Sequence, residues 1–379
     1  VGAGSRTIVL AANDSWNLVN YRAGLIAALQ DAGFRVAALA PPGPHADRFR
    51  NMGVEFHPVP MTPRGTSPLG DFRTLLGFRR QLKAIRPAAL LGFTSKPNIY
   101  GSIAARMCGV PVIINNISGL GTAFSKAGPL QRLAAGLYRF ALRRSSTVFF
   151  QNRDDLELFQ SRRLVRPGQA ALLPGSGVDL DRFSPRGPAP HRGPFVFLFA
   201  ARLLWEKGIS EFAEAARRLS GERGDVRFQI LGFVEPPGDA AVPHSQLRAW
   251  EEEGIIDYLG STDDVREPYS RADCVVLPSY YREGVPRVLL EASAMGLPVI
   301  TTDMPGCRHA VDDGATGLLC EPRSIESLMA AMERMLQMPA EERRTMGLAG
   351  RTKMASEFDE RLVHPAYLEA LEKLGICAS

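Results

Sequence analysis

The sequence predicts an α/β protein built from two doubly wound parallel sheets, and three observations predict it. Short, near-continuous apolar runs alternate with helical patterns along all 379 residues, as parallel strands do when helices cover both faces. The length suits two to three domains at about 150 residues each. The alternation is interrupted once, by Ser184-Pro185-Arg186-Gly187-Pro188-Ala189-Pro190-His191-Arg192-Gly193-Pro194, whose four prolines and two glycines deny both a helix and a central strand. Domains are therefore expected over 1–183 and 195–358, with a linker at 184–194 and a closing segment at 359–379.

In the first half the strand runs are Thr7–Ala12, Arg35–Ala40, Val54–Val59, Ala88–Phe93, Pro111–Asn115, Thr147–Gln151 and Ala171–Leu173. In the second they are Phe195–Ala200, Val226–Leu231, Ile256–Leu259, Cys274–Leu277, Pro298–Thr302 and Gly317–Leu319. Each is too short for a helix, and most are rich in β-branched or aromatic residues. Helical patterns lie between most of them. Such sheets bind ligands outside their C-terminal strand ends, and a cleft between two domains is the default site.

Composition narrows the function classes. Hydrophobic residues are 45% and charged residues 22%, which excludes disorder or a coiled coil as the main state. The five cysteines (Cys108, Cys274, Cys307, Cys320 and Cys377) are scattered and form no CxxC; a reducing cytosol fits them, and a disulfide scaffold does not. No apolar run approaches the ~18 residues of a membrane span. Thr7–Ala12 is too short, and lacks a basic flank, to read as a signal peptide. The six His and five Cys show no zinc spacing.

The net charge of +5 hides an asymmetry. Residues 1–189 hold 24 Lys and Arg against 10 Asp and Glu, and residues 190–379 hold 21 against 30. The first half is thus suited to an anionic phosphorylated ligand, an anionic membrane surface or nucleic acid, or its arginines serve solubility alone. No groove-reading motif favours nucleic acid. In the helical pattern Pro129–Arg144, at ~100° per residue, Leu130, Leu133, Leu137, Phe140 and Ala141 share a stripe opposite Arg132, Arg139 and Arg143. That basic face is either simply solvated or docks to anionic lipid headgroups, where each cation adds roughly 1 kcal/mol.

Two stretches carry chemistry. The first, Ser279-Tyr280-Tyr281-Arg282-Glu283-Gly284-Val285-Pro286-Arg287-Val288-Leu289-Leu290-Glu291, follows the strand at 274–277. Gly284 allows close backbone approach, and Pro286 suits a first helical turn. The amides of a helix starting there can bind phosphate or a sugar oxygen. Glu283 would sit at its mouth, and Glu291 roughly 7.5 Å further along if five residues into the helix. Paired carboxylates accept hydrogen bonds from a polyhydroxylated ligand; alternatively they are a capping Glu and a solvated one. The second stretch, Ala200-Ala201-Arg202-Leu203-Leu204-Trp205-Glu206-Lys207-Gly208, precedes a helix near Gly208–Leu219. Arg202 and Lys207 can clamp a diphosphate, stabilising charge on a leaving phosphate.

Together these elements resemble the family-4 retaining glycosyltransferases of GT-B fold, over essentially the whole chain. The E-x7-E pattern is met by Glu283 and Glu291, and the Arg…Lys-Gly element by Arg202, Lys207 and Gly208. Gly177-Val178-Asp179 with Arg182-Phe183 and Pro185 matches the junction signature; Gly296–Thr302, Gly306, Gly314 and Gly317–Leu319 complete the pattern. The resemblance implies two Rossmann-like domains facing across a cleft, and a last helix, about Glu360–Leu374, that returns to the N-terminal domain. It implies that Arg202 and Lys207 hold the donor diphosphate and Glu283 the donor sugar. The backbone of Gly284, Val285, Pro286 and Arg287 would hold sugar and phosphate, Glu291 the ribose, and Gly232, Tyr258 and Leu259 would border the base.

In the first half, Phe93-Thr94-Ser95-Lys96-Pro97-Asn98-Ile99-Tyr100-Gly101 and Asn116-Ile117-Ser118-Gly119-Leu120-Gly121 resemble a bacterial subgroup acting on undecaprenyl-diphosphate glycans. That includes N-acetylgalactosaminyltransferases, and it puts Lys96 and Gly119 to Gly121 on the acceptor side. Two departures stand out. Where many relatives carry a Gly-Gly loop, this chain has Ala12-Asn13-Asp14-Ser15-Trp16, so that Asn13 and Ser15 replace backbone contacts. Where many carry a His, it has Asn116 and Ser118. Asp179-Leu180-Asp181 is a literal D-x-D, but at the domain junction, and is read as coincidence.

The expectation is therefore a retaining transferase, without a metal or other cofactor, moving an N-acetylhexosamine from a UDP-sugar to a polyprenyl-diphosphate-linked glycan. It would be cytoplasmic and held peripherally on the inner face of the membrane through its N-terminal domain. The rivals are a GT-B-like sugar-nucleotide epimerase, which needs no acceptor, and a non-catalytic nucleotide-sugar-binding subunit. A Rossmann dehydrogenase is disfavoured because Gly2-Ala3-Gly4 precedes the first strand.

Overall fold

The structure is a computed structural model that describes residues 6–62, 67–121, 124, 128–185, 193–220, 224–234 and 238–377. Contacts divide the chain into two compact units, Val1–Ser176 with Glu360–Ser379, and Gly177–Asp359. The first unit runs β1 (Thr7–Ala11), α1 (Ser15–Tyr21), α2 (Ala23–Asp31), β2 (Arg35–Ala40), α3 (Arg48–Asn51), β3 (Glu55–Pro58), α4 (Pro68–Ile85) and β4 (Ala89–Phe93). It continues with a π-helical turn (Pro97–Gly101), α5 (Ser102–Met107), β5 (Val112–Ile117), α6 (Pro129–Leu142), β6 (Thr147–Phe150), α7 (Arg153–Ser161) and β7 (Ala170–Leu172). The second unit runs β8 (Phe195–Ala200), α8 (Ile209–Ser220), β9 (Val226–Leu231), α9 (His244–Glu252), β10 (Asp257–Tyr258), α10 (Arg266–Arg271) and β11 (Cys274–Leu277). Then come α11 (Arg287–Ala294), β12 (Val299–Thr302), α12 (Cys307–Ala310), β13 (Gly317–Cys320), α13 (Ile325–Gln337) and α14 (Ala340–Lys353). The last helix, α15 (Glu360–Lys373), belongs to the first unit.

Every strand run read from the sequence is a strand, with ends shifted by two residues or fewer. The first sheet is ordered β3-β2-β1-β4-β5-β6-β7 and the second β10-β9-β8-β11-β12-β13. The pairings are parallel throughout, for example Ile8 with Val36 and with Ala89. The fold is thus two doubly wound α/β units. Each sheet reverses its winding once, between β1 and β4 and between β8 and β11. Such switch points open crevices at the C-terminal strand ends.

Alternation along β1 shows how the first sheet is covered. Ile8 and Leu10 enter one core with Leu25, Ile26 and Tyr367, while Val9 enters another with Phe78 of α4 and Ala104 of α5. Helices α1, α2 and α15 therefore cover one face, and α4, α5 and α6 the other. Tyr367 anchors α15 between Phe93 and Phe149, with ring centroids at 6.1 and 5.0 Å. Burial of such a ring is worth roughly 4 kcal/mol. Among the described residues no helix is long and apolar enough to cross a membrane.

Two sequence expectations change. The division between units falls at 176/177 rather than at 184–194, because Val178, Leu180 and Phe183 are buried in the second core. Arg351 holds that segment through the carbonyl oxygens of Phe183 (2.9 Å) and Leu180 (3.4 Å). Of the Pro-rich stretch, residues 186–192 lie outside the described residues. In α6 the stripe is divided: Leu130, Leu133 and Phe140 are 49%, 56% and 54% exposed, whereas Ala141 is buried and Leu137 half-buried. Tyr138 and Leu142 are buried beside Ala141, because Tyr138 joins an aromatic cluster with Phe124 and Phe159.

Candidate active site

In the second unit the run Phe195–Ala200 leaves the sheet as β8, and the chain turns through a short 3-10 helix at Trp205–Lys207. Gly208 ends that turn at φ +79°, and a Cβ there would lie 2.0 Å from the carbonyl oxygen of Pro278. Only glycine lets the turn after β8 press against the chain leaving β11. The contact is fixed by backbone bonds: Tyr280 and Tyr281 both donate their N–H to the Glu206 carbonyl, each at 3.0 Å.

This contact brings Lys207 and Glu283 together across the switch point. Their side chains are 9% and 12% exposed and form an ion pair. Ser279 Oγ donates to Glu283 Oε1 at 3.1 Å, and Lys207 Nζ lies 5.4 Å from the centre of the Tyr281 ring. The threonines that end β12 pin the same loop: Thr301 Oγ1 donates to the Leu277 carbonyl at 2.7 Å, and Thr302 Oγ1 to that of Ser279. Gly306, at φ +87°, continues the close packing, since a Cβ there would lie 2.0 Å from the Gly284 oxygen. Cys307, next to it, is buried, and burial pushes its thiol up to about 12, with Glu283 adding to the rise. It is therefore a neutral packing group, not a nucleophile.

Helix α11 starts at Arg287, with Pro286 extended at the cap (ψ 121°) and Val285 buried. Its positive end therefore lies beside Glu283 and Gly284. Arg287 forks onto Glu291 Oε1 through Nε (3.1 Å) and Nη2 (3.0 Å), and its Nη1 donates to the Gly177 carbonyl at 2.9 Å. Burial pushes the Glu291 carboxyl up, and Arg287 opposes the rise. Arg202 is exposed on the loop after β8. Further along the same sheet edge, Tyr258 Oη donates to the Gly232 carbonyl (2.8 Å), Gly232 N–H to that of Gly260 (2.8 Å), and Leu259 N–H to that of Ile230 (2.8 Å). Asp179, half of the D-x-D, accepts the N–H of Asp181 (3.0 Å) and of Arg182 (2.9 Å), so its carboxylate caps a turn.

In the first unit, Asn13 N–H donates to Thr94 Oγ1 at 3.1 Å across the β1/β4 switch point. Thr94 holds φ 65°, a strained value for a β-branched residue. Two expected acceptor-side residues are corrected. Asn116 is fully buried; its amide donates to Tyr367 Oη at 2.7 Å, and its oxygen accepts from Gln151 at 3.2 Å. Ser15 is buried at the start of α1. Lys96 is placed at the strand end as expected, but its ammonium bonds Asp71 and Thr62, both at 2.7 Å. Asp71 also helps raise the Tyr100 hydroxyl to about 12, after burial itself. Ser118 and Gly119 are half-buried on the loop after β5, and Gly121 is buried there.

Sequence reasoning missed Ser279, Thr302 and Asp71. The signals were present: hydroxyls closing an apolar strand, and a single acid in a long basic segment.

The two units match models of one class, the glycosyltransferases. Residues 182–353 match the family described as "Glycosyl transferases group 1", and residues 18–176 the "Glycosyl transferase 4-like domain". The chain belongs to the glycosyltransferases that pair these two domains, with a GT-B fold. Among relatives it is 24% identical over 375 residues to the N,N'-diacetylbacillosaminyl-diphospho-undecaprenol alpha-1,3-N-acetylgalactosaminyltransferase of Campylobacter jejuni, covering 94% of this chain and 96% of that one. It is 28% identical to the UDP-Gal:alpha-D-GlcNAc-diphosphoundecaprenol alpha-1,3-galactosyltransferase of Escherichia coli, over 73% of each chain. Among solved structures, sucrose-phosphate synthase of Thermosynechococcus elongatus superposes with a TM-score of 0.79 at 19% identity, over 97% of this chain and 99% of that one.

Proposed function

We propose that this glycosyltransferase moves a sugar, an N-acetylhexosamine by preference, from a UDP-sugar to a hydroxyl of a polyprenyl-diphosphate-linked glycan, with retention at the anomeric carbon. The observation that carries this reading is the Lys207–Glu283 pair at the β8/β11 switch point. It sets a cation and a hydrogen-bond acceptor for hydroxyls side by side, as one ligand with a phosphate and a sugar requires. Lys207 and Arg202 take the donor diphosphate, Glu283 and the Gly284–Arg287 backbone the sugar, and Glu291 the ribose. Gly232, Tyr258 and Leu259 border the base.

The acceptor hydroxyl attacks on the face from which the phosphate leaves. The bond from the anomeric carbon to the phosphate oxygen breaks, the bond to the acceptor oxygen forms, and the acceptor proton passes to the leaving phosphate. Charge growing on that phosphate is met by Lys207, Arg202 and the α11 N-terminus, so the reaction runs without a metal ion. Asn13, Lys96, Ser118, Gly119 and Gly121 form the acceptor side. The N-terminal unit meets an anionic membrane surface, on the inner face of the cytoplasmic membrane. The names of the two undecaprenol-dependent relatives support the substrate class.

The test is a panel of nucleotide sugars against short polyprenyl-diphosphate glycans, with and without EDTA, followed by NMR of the product. Transfer with retained configuration and no loss in EDTA is expected. Sugar-nucleotide isomerisation without an acceptor refutes the reading.

A further inference from the structure

One face of the first unit is unlike the rest of the molecule. Between Glu55 and Asp154 the chain carries fourteen Lys and Arg and a single acid, Asp71. That acid is buried and paired with Lys96. The segment supplies α4, α5 and α6, which pack side by side over the same side of the sheet. Helix α4 buries Asp71, Thr74, Phe78 and Leu82. At ~100° per residue its opposite side gathers two sets of side chains within an arc of about 120°. The N-terminal half of that arc is the exposed row Leu69, Phe72 and Leu76. The C-terminal half is Arg79, Arg80 and Lys83, which with Leu76 and Ala84 border an open concavity of about 370 Å³. Two helices away, α6 presents Leu130, Leu133 and Phe140 outward, and Arg106 of α5 stacks 4.5 Å from the Phe140 ring centre. Apolar rows of this size left in water, beside cations and with no exposed acid on α4, α5 or α6, match a bilayer interface. Acyl chains cover the rows, and headgroup phosphates meet the cations.

We infer that the α4–α5–α6 face docks on a bilayer of anionic phospholipid, with the apolar row of α4 inserted and its C-terminal cations on headgroup phosphates. This deepens the membrane contact proposed above and rests on it. It assigns that contact to a particular face, and to α4 as much as to α6.

Vesicle sedimentation tests it on the full chain, using phosphatidylcholine alone and phosphatidylcholine mixed with phosphatidylglycerol. The protein should sediment with the mixed vesicles and not with the neutral ones, and salt should release part of it. The triple variant Leu69→Ser/Phe72→Ser/Leu76→Ser should lose sedimentation. The variant Arg79→Gln/Arg80→Gln/Lys83→Gln should bind roughly a hundredfold more weakly, from three phosphate contacts. Both should keep wild-type melting and full transfer to a detergent-dispersed acceptor, since all six positions are exposed. Wild-type sedimentation by both variants overturns the inference while leaving membrane contact elsewhere on the protein possible. Equal binding to neutral vesicles, equal affinity for inorganic polyphosphate or single-stranded RNA, or a solution dimer that Phe72→Ser dissociates, also overturns it. Sedimentation without transfer to any acceptor would instead sink the proposed reaction and leave the docking face standing.

Discussion

The two units share one sheet design and use their switch points differently. In the first, one ion pair, Lys96 with Asp71, lies beyond β4, and the other strand ends are tied by neutral amides and hydroxyls. Asn115 donates to Asn98 Oδ1 and Ser102 Oγ, both at 2.9 Å, Ser145 Oγ donates to Asn115 at 2.6 Å, and Asn116 bonds Tyr367. In the second, the strand ends hold opposite charges, Lys207 with Glu283 and Arg287 with Glu291. A satisfied amide network specifies one rigid arrangement. An ion pair at a crevice has charges that an incoming phosphate and hydroxyl can exchange into. The first unit is therefore tied largely by neutral groups at its strand ends and is basic on its α4–α6 face, and the second buries opposite charges in pairs.

Breaking this contrast gives the largest effect first. Lys207→Met should lower turnover by at least ~10²-fold with the fold intact, as loss of an electrostatic stabiliser does. Lys96→Met should leave turnover within about tenfold, because on the proposed acceptor side it does not meet the charge growing on the leaving phosphate. Steady-state rates and thermal melts of both variants check this, and an equal catalytic loss would erase the distinction. Next, Arg287→Ala leaves Glu291 buried and unpaired and should cost about 3–5 kcal/mol. The double variant Arg287→Met/Glu291→Leu should recover most of it in urea titrations. Tyr367→Phe removes one acceptor from the amide network and should cost about 1–2 kcal/mol by the same measurement.

The smallest effect is acid dependence. Arg266 holds the Asp264 carboxyl at about 2, through hydrogen bonds to its side chain first of all. A folded-state value below the ordinary ~3.9 stabilises the fold above that value and stops doing so as pH falls toward about 2. The pair is largely in solvent, so Asp264→Asn should flatten the melting temperature only slightly between about pH 4 and pH 2.

Much of this was legible in the chain. Central strands such as β1, β4 and β11 could be read because buried parallel strands are apolar throughout, a signal carried by each segment alone, whereas β3, β7 and β10 are only partly buried. Glu283 and Lys207 stood out because charged residues followed apolar strands at loop positions. Their mutual pairing did not stand out, and neither did the burial of Asn116 beside a tyrosine 251 residues away. The stripe of α6 misled for a related reason. Its amphipathic pattern is real, but with Tyr138 buried the stripe is split: Ala141 faces in, and Leu130, Leu133 and Phe140 face out.

By itself, then, the amino-acid order determined the two-sheet α/β architecture, the glycine-bound turns and the charged stretches that follow the strands, because periodicity and turn geometry act over a few neighbouring residues. Tertiary structure alone decided which charge meets which, which polar groups are consumed in the core and which helix faces remain in water. Those outcomes depend on contacts such as Lys207 to Glu283, made across 76 residues when two strand ends come together.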